Sequence, residues 1–337
     1  MNRLIKQQNI TGISLTILAL VGGLWAGAPP LPTKPALDDY VLAAQKQNAG
    51  IRSAYHQWEA AVEQIAVAKG WPNPSLSFGY FLENVETAVG PQEYKVGLTQ
   101  MIPWIGKLGT QGKVQTAQSE ILFHRLQQKR LAVESQTKLV YYDYYFLEKA
   151  IEITRQNIDL VQNWEWVVQS KYKTAISSHL DVIKTQIELI NLKDDLKSLE
   201  GKKRPLLQKF QEILNDTTLS TVFIGDSLEF LTISLEKTQL LKMALGNNPG
   251  LLAAGSLVTK QTHALKRARL EYFPDFGLGV DRIGTGESEN SPPPTDSGKD
   301  PMVFKVSLSL PIWLGKNAKR YGQLNTKKLQ PKNSSRV

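Results

Sequence analysis

From Lys113 to Tyr172 the chain contains neither proline nor glycine. Nothing there stops a helix once it has started, and at 1.5 Å per residue a single helix of that length would measure about 90 Å. Apolar residues return on a seven-residue beat at Leu126, Val133, Val140, Leu147, Val161 and Val168, interrupted only by Thr154. Tyr144, Ile151 and Ile158 supply the companion seam. A sustained heptad of this kind needs other helices along its length to cover it. Globular helices average about three turns, so the stretch argues against an ordinary small globular domain.

What flanks the rod decides its use. The net charge is +9, which would suit nucleic acid if it were spread over a folded body. It sits at the ends instead. Arg3 and Lys6, and then Lys316, Lys319, Arg320, Lys327, Lys328, Lys332 and Arg336, lie in two segments without an acid. Removing these nine from the 40 Lys and Arg leaves 31, equal to the 31 Asp and Glu, so the body is neutral and no nucleic-acid partner is expected. Residues 317–337 read as a basic polar tail without fixed structure. Residues 1–28 read as a signal peptide: two basic residues, an apolar run from Ile10 to Trp25, then Ala26-Gly27-Ala28. No later stretch has the apolar length of a membrane-spanning helix, so any membrane segment is expected to be a barrel. Cysteine is absent, which removes disulfides and thiolate metal sites.

Between these ends the pattern occurs twice. A short helix from Ala36 to Gln47 breaks at Asn48-Ala49-Gly50, and a second from Ile51 to Lys69 ends at Gly70-Trp71-Pro72-Asn73-Pro74. The apolar period then changes to two. Leu76, Phe78, Tyr80 and Leu82 alternate with small or polar residues, and after a loop over Glu83–Gln92 so do Tyr94, Val96, Leu98 and Ile102. Such strands, about nine residues long with one apolar face, suit a sheet with lipid on one side and water on the other. Pro103-Trp104-Ile105-Gly106-Lys107 leads into the rod. Lys173–Ser178 reverses the chain, and an antiparallel helix follows, with Gly201 and Pro205 expected to kink or interrupt it. Then Asn247-Asn248-Pro249-Gly250 repeats the first helix break, and Phe273-Pro274-Asp275 repeats Trp71-Pro72-Asn73. Phe304-Lys305-Val306-Ser307-Leu308-Ser309 repeats Tyr94-Lys95-Val96-Gly97-Leu98-Thr99, and Pro311 to Lys316 repeats Pro103 to Lys107. The expected organisation is a first repeat over 29–235, with a strand pair at 75–102 and a helical hairpin at 112–215, and an incomplete second repeat over 236–316, with a strand pair at 276–310. A duplication of this length constrains architecture more than any short motif does.

Two copies of helix, helix, strand, strand and long helix behind a signal peptide resemble the TolC-type outer-membrane efflux proteins over Ala36 to Lys316. The segment Tyr172-Lys173-Thr174-Ala175-Ile176-Ser177-Ser178-His179-Leu180-Asp181-Val182 is similar to the family's periplasmic hairpin tip, with Ala175 where glycine is usual. Pro103-Trp104-Ile105-Gly106-Lys107 looks like the heavy-metal-efflux branch. The likeness implies an α+β membrane protein: long antiparallel coiled-coil helices, and four strands per chain contributing to a trimeric twelve-stranded barrel. It implies partnership with a periplasmic adaptor and an inner-membrane pump, outer-membrane lipid around the barrel, and location in the outer membrane and periplasm of a Gram-negative bacterium. The adaptor-contact tip would be Thr174, Ala175, Ile176, Ser177, Ser178, Leu180 and Asp181. Ser75, Ser77, Lys95, Thr99, Asp281, Lys305, Ser307 and Ser309 would face the lumen, with Lys95 and Lys305 placing positive rings in the pore. The family's last helix pair has no counterpart after Lys316, so a C-terminally truncated member is expected.

The expected function is a passive duct for small molecules or ions in a tripartite efflux or export system. The alternatives are a periplasmic adaptor-like coiled-coil protein and a non-functional fragment of such a channel. An enzyme is not expected. His56, His124, His179 and His263 are scattered without metal-ligand spacing, and Gly277-x-Gly279 precedes no helix that would cradle phosphate. No cofactor, catalytic residue or metal site is expected.

Overall fold

A computed structural model describes residues 35–334 other than 226, 227 and 229–233. The expected signal peptide lies outside the described residues. The elements run α1 (Leu37–Gln47), α2 (Ala49–Lys69), β1 (Ser75–Thr87), β2 (Gly90–Ile102), α3 (Lys107–Lys173), α4 (His179–Leu214), α5 (Lys237–Asn247), α6 (Pro249–Leu270), β3 (Asp275–Thr285), β4 (Met302–Ser309) and α7 (Leu314–Ser334). This is the expected α+β architecture of long helices and four strands, and the strands form one antiparallel sheet in the order β1-β2-β3-β4.

The duplication carries the same local chemistry in both copies. At the first helix break, Asn48 Oδ1 accepts hydrogen bonds from the amides of Gly50 (3.0 Å) and Ile51 (3.2 Å). At the second, Asn248 Oδ1 accepts from Gly250 (2.8 Å) and Leu251 (3.2 Å). An asparagine in this position satisfies two of the four orphan amides that open a helix. Pro249 follows Asn248 in the first helical turn, where its missing N–H costs nothing.

Two compact units divide the chain and cut across the two repeats. One holds residues up to Tyr55 and Leu126–Lys242; the other holds His56–Arg125 and the chain from Met243 on. In the first unit, Leu126, Val133, Val140, Tyr144, Leu147, Ile151, Ile158 and Val168 of the predicted seam are buried, and Val161 is half-buried. Tyr40 of α1 closes the core, its ring meeting Phe210 of α4 edge-on at 5.1 Å, while its hydroxyl oxygen accepts the Phe223 amide at 2.9 Å. Burial pushes the Tyr40 phenol above its usual pKa. Helix α4 runs unbroken through Pro205, so of the expected kink or interruption the interruption does not occur. Pro205 is exposed, so the carbonyl it cannot bond is available to water, and Phe210, Ile213 and Leu214 beyond it are buried.

In the second unit, Ala117 and Ile121 of α3 and Leu265 and Ala268 of α6 are buried, and Trp58 packs against Phe123 at 5.8 Å. Two further corrections belong here. The expected loop over Glu83–Gln92 is a two-residue turn, because β1 and β2 continue to pair past a register shift between Tyr80 and Val85. Residues after Lys316, expected to lack structure, continue α7 to Ser334, and Tyr321 accepts a hydrogen bond from Arg269 of α6 at 2.8 Å.

Candidate functional site

The sheet is two-faced. Leu76, Phe78, Tyr80 and Leu82 of β1, Val96 and Leu98 of β2, Phe276, Leu278 and Val280 of β3, and Phe304, Val306 and Leu308 of β4 are all exposed large apolar side chains. Register places them together: Leu76 pairs with Leu98, Leu98 with Val280, and Val280 with Phe304. A contiguous apolar face of this extent needs a cover other than water. The edge strands β1 and β4 each keep a free hydrogen-bonding side within the chain.

The opposite face collects the polar positions read from the sequence. Ser75 pairs with Thr99 and Ser77 with Gly97; Gly97 pairs with Asp281, Gly279 with Lys305, Gly277 with Ser307 and Asp275 with Ser309. Directly paired residues point to the same side. Ser75, Ser77, Lys95, Thr99, Asp281, Lys305, Ser307 and Ser309 therefore share one face.

At its centre the two lysines share one carboxylate. Lys95 Nζ lies 2.7 Å from Asp281 Oδ2, and Lys305 Nζ donates to Asp281 Oδ1 at 3.0 Å. The Asp281 residue is 1% exposed, so both lysines lean over it and spend part of their hydrogen-bonding capacity there. Gly97 makes room: a Cβ on it would lie 2.3 Å from Asp281 Oδ1 and 2.7 Å from Ser77 Oγ.

The helical tip is built by two complementary ends. At the end of α3, the Ile176 amide donates to the Lys171 carbonyl at 2.9 Å and Ala175 takes φ 59°, the left-handed conformation that closes many helices. Thr174 Oγ1 donates to the Lys171 carbonyl at 3.0 Å. At the start of α4, the Asp181 amide donates to Ser178 Oγ at 3.2 Å. In return the Asp181 carboxylate accepts from Ser178 Oγ at 2.7 Å, from the Ser178 amide at 3.2 Å and from Ser177 Oγ at 3.3 Å. This is a reciprocal capping box. The Ser178 hydroxyl first, and then its amide, hold the Asp181 carboxyl below the usual range. Ile176 and Leu180 project unsupported, 75% and 58% exposed.

No protein-family model and no curated protein matches the chain. Solved structures do. CusC, whose crystal structures concern folding and transmembrane channel formation, aligns over 91% of this chain and 77% of its own with a TM-score of 0.71 at 14% identity. The Campylobacter jejuni CmeC outer membrane channel covers 92% of this chain and 72% of its own, with a TM-score of 0.67 at 15% identity. The open state of the Neisseria gonorrhoeae MtrE outer membrane channel covers 88% and 68%, with a TM-score of 0.65 at 16% identity. This is the fold of the TolC-type outer-membrane channels.

Within that fold, two features of this chain escaped the sequence pattern. One is the seating of Asp281 between Lys95 and Lys305. The other is Lys107, which is 4% exposed and donates to the Phe273 carbonyl (3.0 Å) and Asp275 Oδ1 (2.7 Å). Trp104 joins the same place: its amide donates to Asp275 Oδ1 at 2.7 Å, and its ring stacks on Phe273 and Phe276. The signal was present, since Pro103 to Lys107 and Phe273 to Asp275 are both motifs of the duplication. Among the described residues no helix is long and apolar enough to cross a membrane, and no cluster of acids and histidines would hold a metal ion.

Proposed function

We propose that this chain is a subunit of an outer-membrane channel, a passive duct for small molecules or ions that works with a periplasmic adaptor and an inner-membrane pump. The observation that carries the proposal is the two-faced sheet. Its exposed apolar face suits lipid, its serine, glycine and lysine face suits an aqueous lumen, and four strands with two open edges cannot satisfy their backbone in lipid without neighbours. Three copies would close a barrel of twelve strands. A second apolar stripe on α3 fits the same assembly: Leu139, Phe146, Ile153 and Leu160 are exposed at seven-residue intervals, beside the seam already buried within the chain. Helices of a neighbouring copy would cover it. The tip from Thr174 to Asp181 is the proposed adaptor contact, with Ile176 and Leu180 as its apolar anchors. An adaptor would instead need two halves of a soluble β-domain flanking the hairpin, and the described strands make one sheet with an apolar face left open.

Expression in a Gram-negative host lacking its own channel tests this directly. The chain is expected in the outer-membrane fraction as an oligomer that survives detergent and dissociates on heating. Incorporated into planar bilayers, it is expected to give discrete conductance steps. Recovery only as a soluble or inner-membrane monomer without conductance overturns the proposal.

A further inference from the structure

We infer that the Lys95–Asp281–Lys305 cluster sets the charge selectivity of the duct, giving it a preference for small anions and for the anionic groups of larger solutes; this rests on the channel reading above. Between the register shift after Tyr80 and the strand bases, the polar face comprises Ser75, Ser77, Gly79, Lys95, Gly97, Thr99, Met101, Gly277, Gly279, Asp281, Ile283, Val303, Lys305, Ser307 and Ser309. Apart from Asp275, which pairs with Ser309 on the same face, the cluster holds every charge among these described residues. The nearest acids beyond it do not cancel it. Glu83, Glu86 and Glu93 belong to the turn end of β1 and β2, and Asp275 at the base of β3 is already taken by Lys107.

Two ammonium groups against one carboxylate leave one net positive charge per chain, held at the middle of the sheet. The arrangement fixes where that charge stands. Asp281 is nearly inaccessible, so a passing ion meets the lysines rather than the carboxylate; their side chains remain 43% and 38% exposed. Each ammonium has three donors and one of them serves Asp281, which leaves two beyond that contact. The cluster's cross-strand neighbours are Gly79, Gly97 and Gly279 with the uncharged Ile283 and Val303, so none of them carries a competing charge. A ring of such sites in a low-dielectric wall raises the local concentration of anions. A clamp serving only to hold β2, β3 and β4 in register would have no need of an excess charge; the second lysine supplies it.

The test is the reversal potential of the reconstituted full-length channel under a potassium chloride gradient. Wild type is expected to pass chloride over potassium. Lys305→Gln leaves the Lys95–Asp281 pair with no net charge, and its chloride preference should disappear. Asp281→Asn leaves two positive charges and should strengthen the preference. Lys305→Arg keeps the charge and should behave as wild type. Selectivity unchanged in both Lys305→Gln and Asp281→Asn, with conductance retained, overturns the inference while leaving the channel intact. If Asp281→Asn fails to assemble, Lys305→Gln alone decides. Absence of conductance from the wild type overturns the channel reading itself.

Discussion

Lys107 Nζ, at the first residue of α3, donates to Asp275 Oδ1, at the first residue of β3, across 2.7 Å. The ammonium also caps the Phe273 carbonyl, and the same carboxylate oxygen accepts the Trp104 amide, so one ion pair ties a helix start to a strand start. Removing one partner of a buried pair strands the other, at a cost of roughly 3–5 kcal/mol. Asp275 keeps partial access to water, which puts Lys107→Met toward the lower end of that range. The temperature at which the protein unfolds should fall clearly. An unaltered unfolding temperature would mean that the junction is held elsewhere.

Gly97 and Gly79 offer a matched pair of glycine-to-alanine substitutions on neighbouring strands. At Gly97 the new methyl would meet Asp281 Oδ1 and push it from Lys305, whereas at Gly79 nothing lies within 4 Å. Gly97→Ala is therefore expected to lower the thermal stability of the protein and Gly79→Ala to leave it unchanged. Equal behaviour of the two would remove the argument that Gly97 is there to admit the carboxylate.

The rod was legible because nothing in it competes with a helix, and its heptad named the buried side chains from Leu126 to Val168. It begins earlier than expected, at Lys107, because a glycine such as Gly109 costs a helix interior only about 1 kcal/mol. The two faces of the sheet followed from period-two alternation. The turn did not, because Glu83 to Gln92 has the composition of a loop while backbone pairing is indifferent to it. Helix α7 gave no signal for a different reason: a basic, polar segment carries little apolar periodicity, and what the structure shows against it is Arg269 of α6. The pairing of Asp281 with two lysines depends on how β2 and β3 align, and register between strands so far apart in sequence is not written in either strand alone.

Ala175 closes α3 at φ 59°, where an L-residue is strained by roughly 1–2 kcal/mol and glycine is not. Ala175→Gly should relieve that strain, offset in part by the added freedom of glycine in the unfolded chain, for a net gain of about 1 kcal/mol or less. Amide exchange at Ile176 and Ser177, which donate to Lys171, should slow. Faster exchange would show that the left-handed conformation is not the one the turn adopts.

The capping box makes the first turn of α4 sensitive to acid. The Asp181 carboxyl is held below its ordinary value by the Ser178 hydroxyl and amide. A depressed folded-state pKa stabilises above the unfolded value, near pH 4, and that contribution is lost as the pH falls through the folded value. Exchange protection of residues 178–183 should accordingly be level at neutral pH and decline only in strong acid. Asp181→Asn should lower protection at neutral pH and flatten its dependence on pH. A wild-type profile that declines already near pH 6 would mean that Asp181 does not govern the turn.

Leu180 provides the cleanest probe of the tip. Charging Ser178 would also abolish the cap it makes with Asp181, so a loss of efflux there would have two explanations. Leu180 is 58% exposed and its side chain takes no part in the capping box, so Leu180→Glu should leave folding and oligomer assembly intact. If this surface seats the apolar side of an adaptor, a buried unpaired carboxylate there is expensive enough to break the contact. Efflux in cells should then be lost while the outer-membrane oligomer and its bilayer conductance match wild type. Full efflux by the variant would remove Thr174–Asp181 as the docking surface without touching the assignment of the sheet.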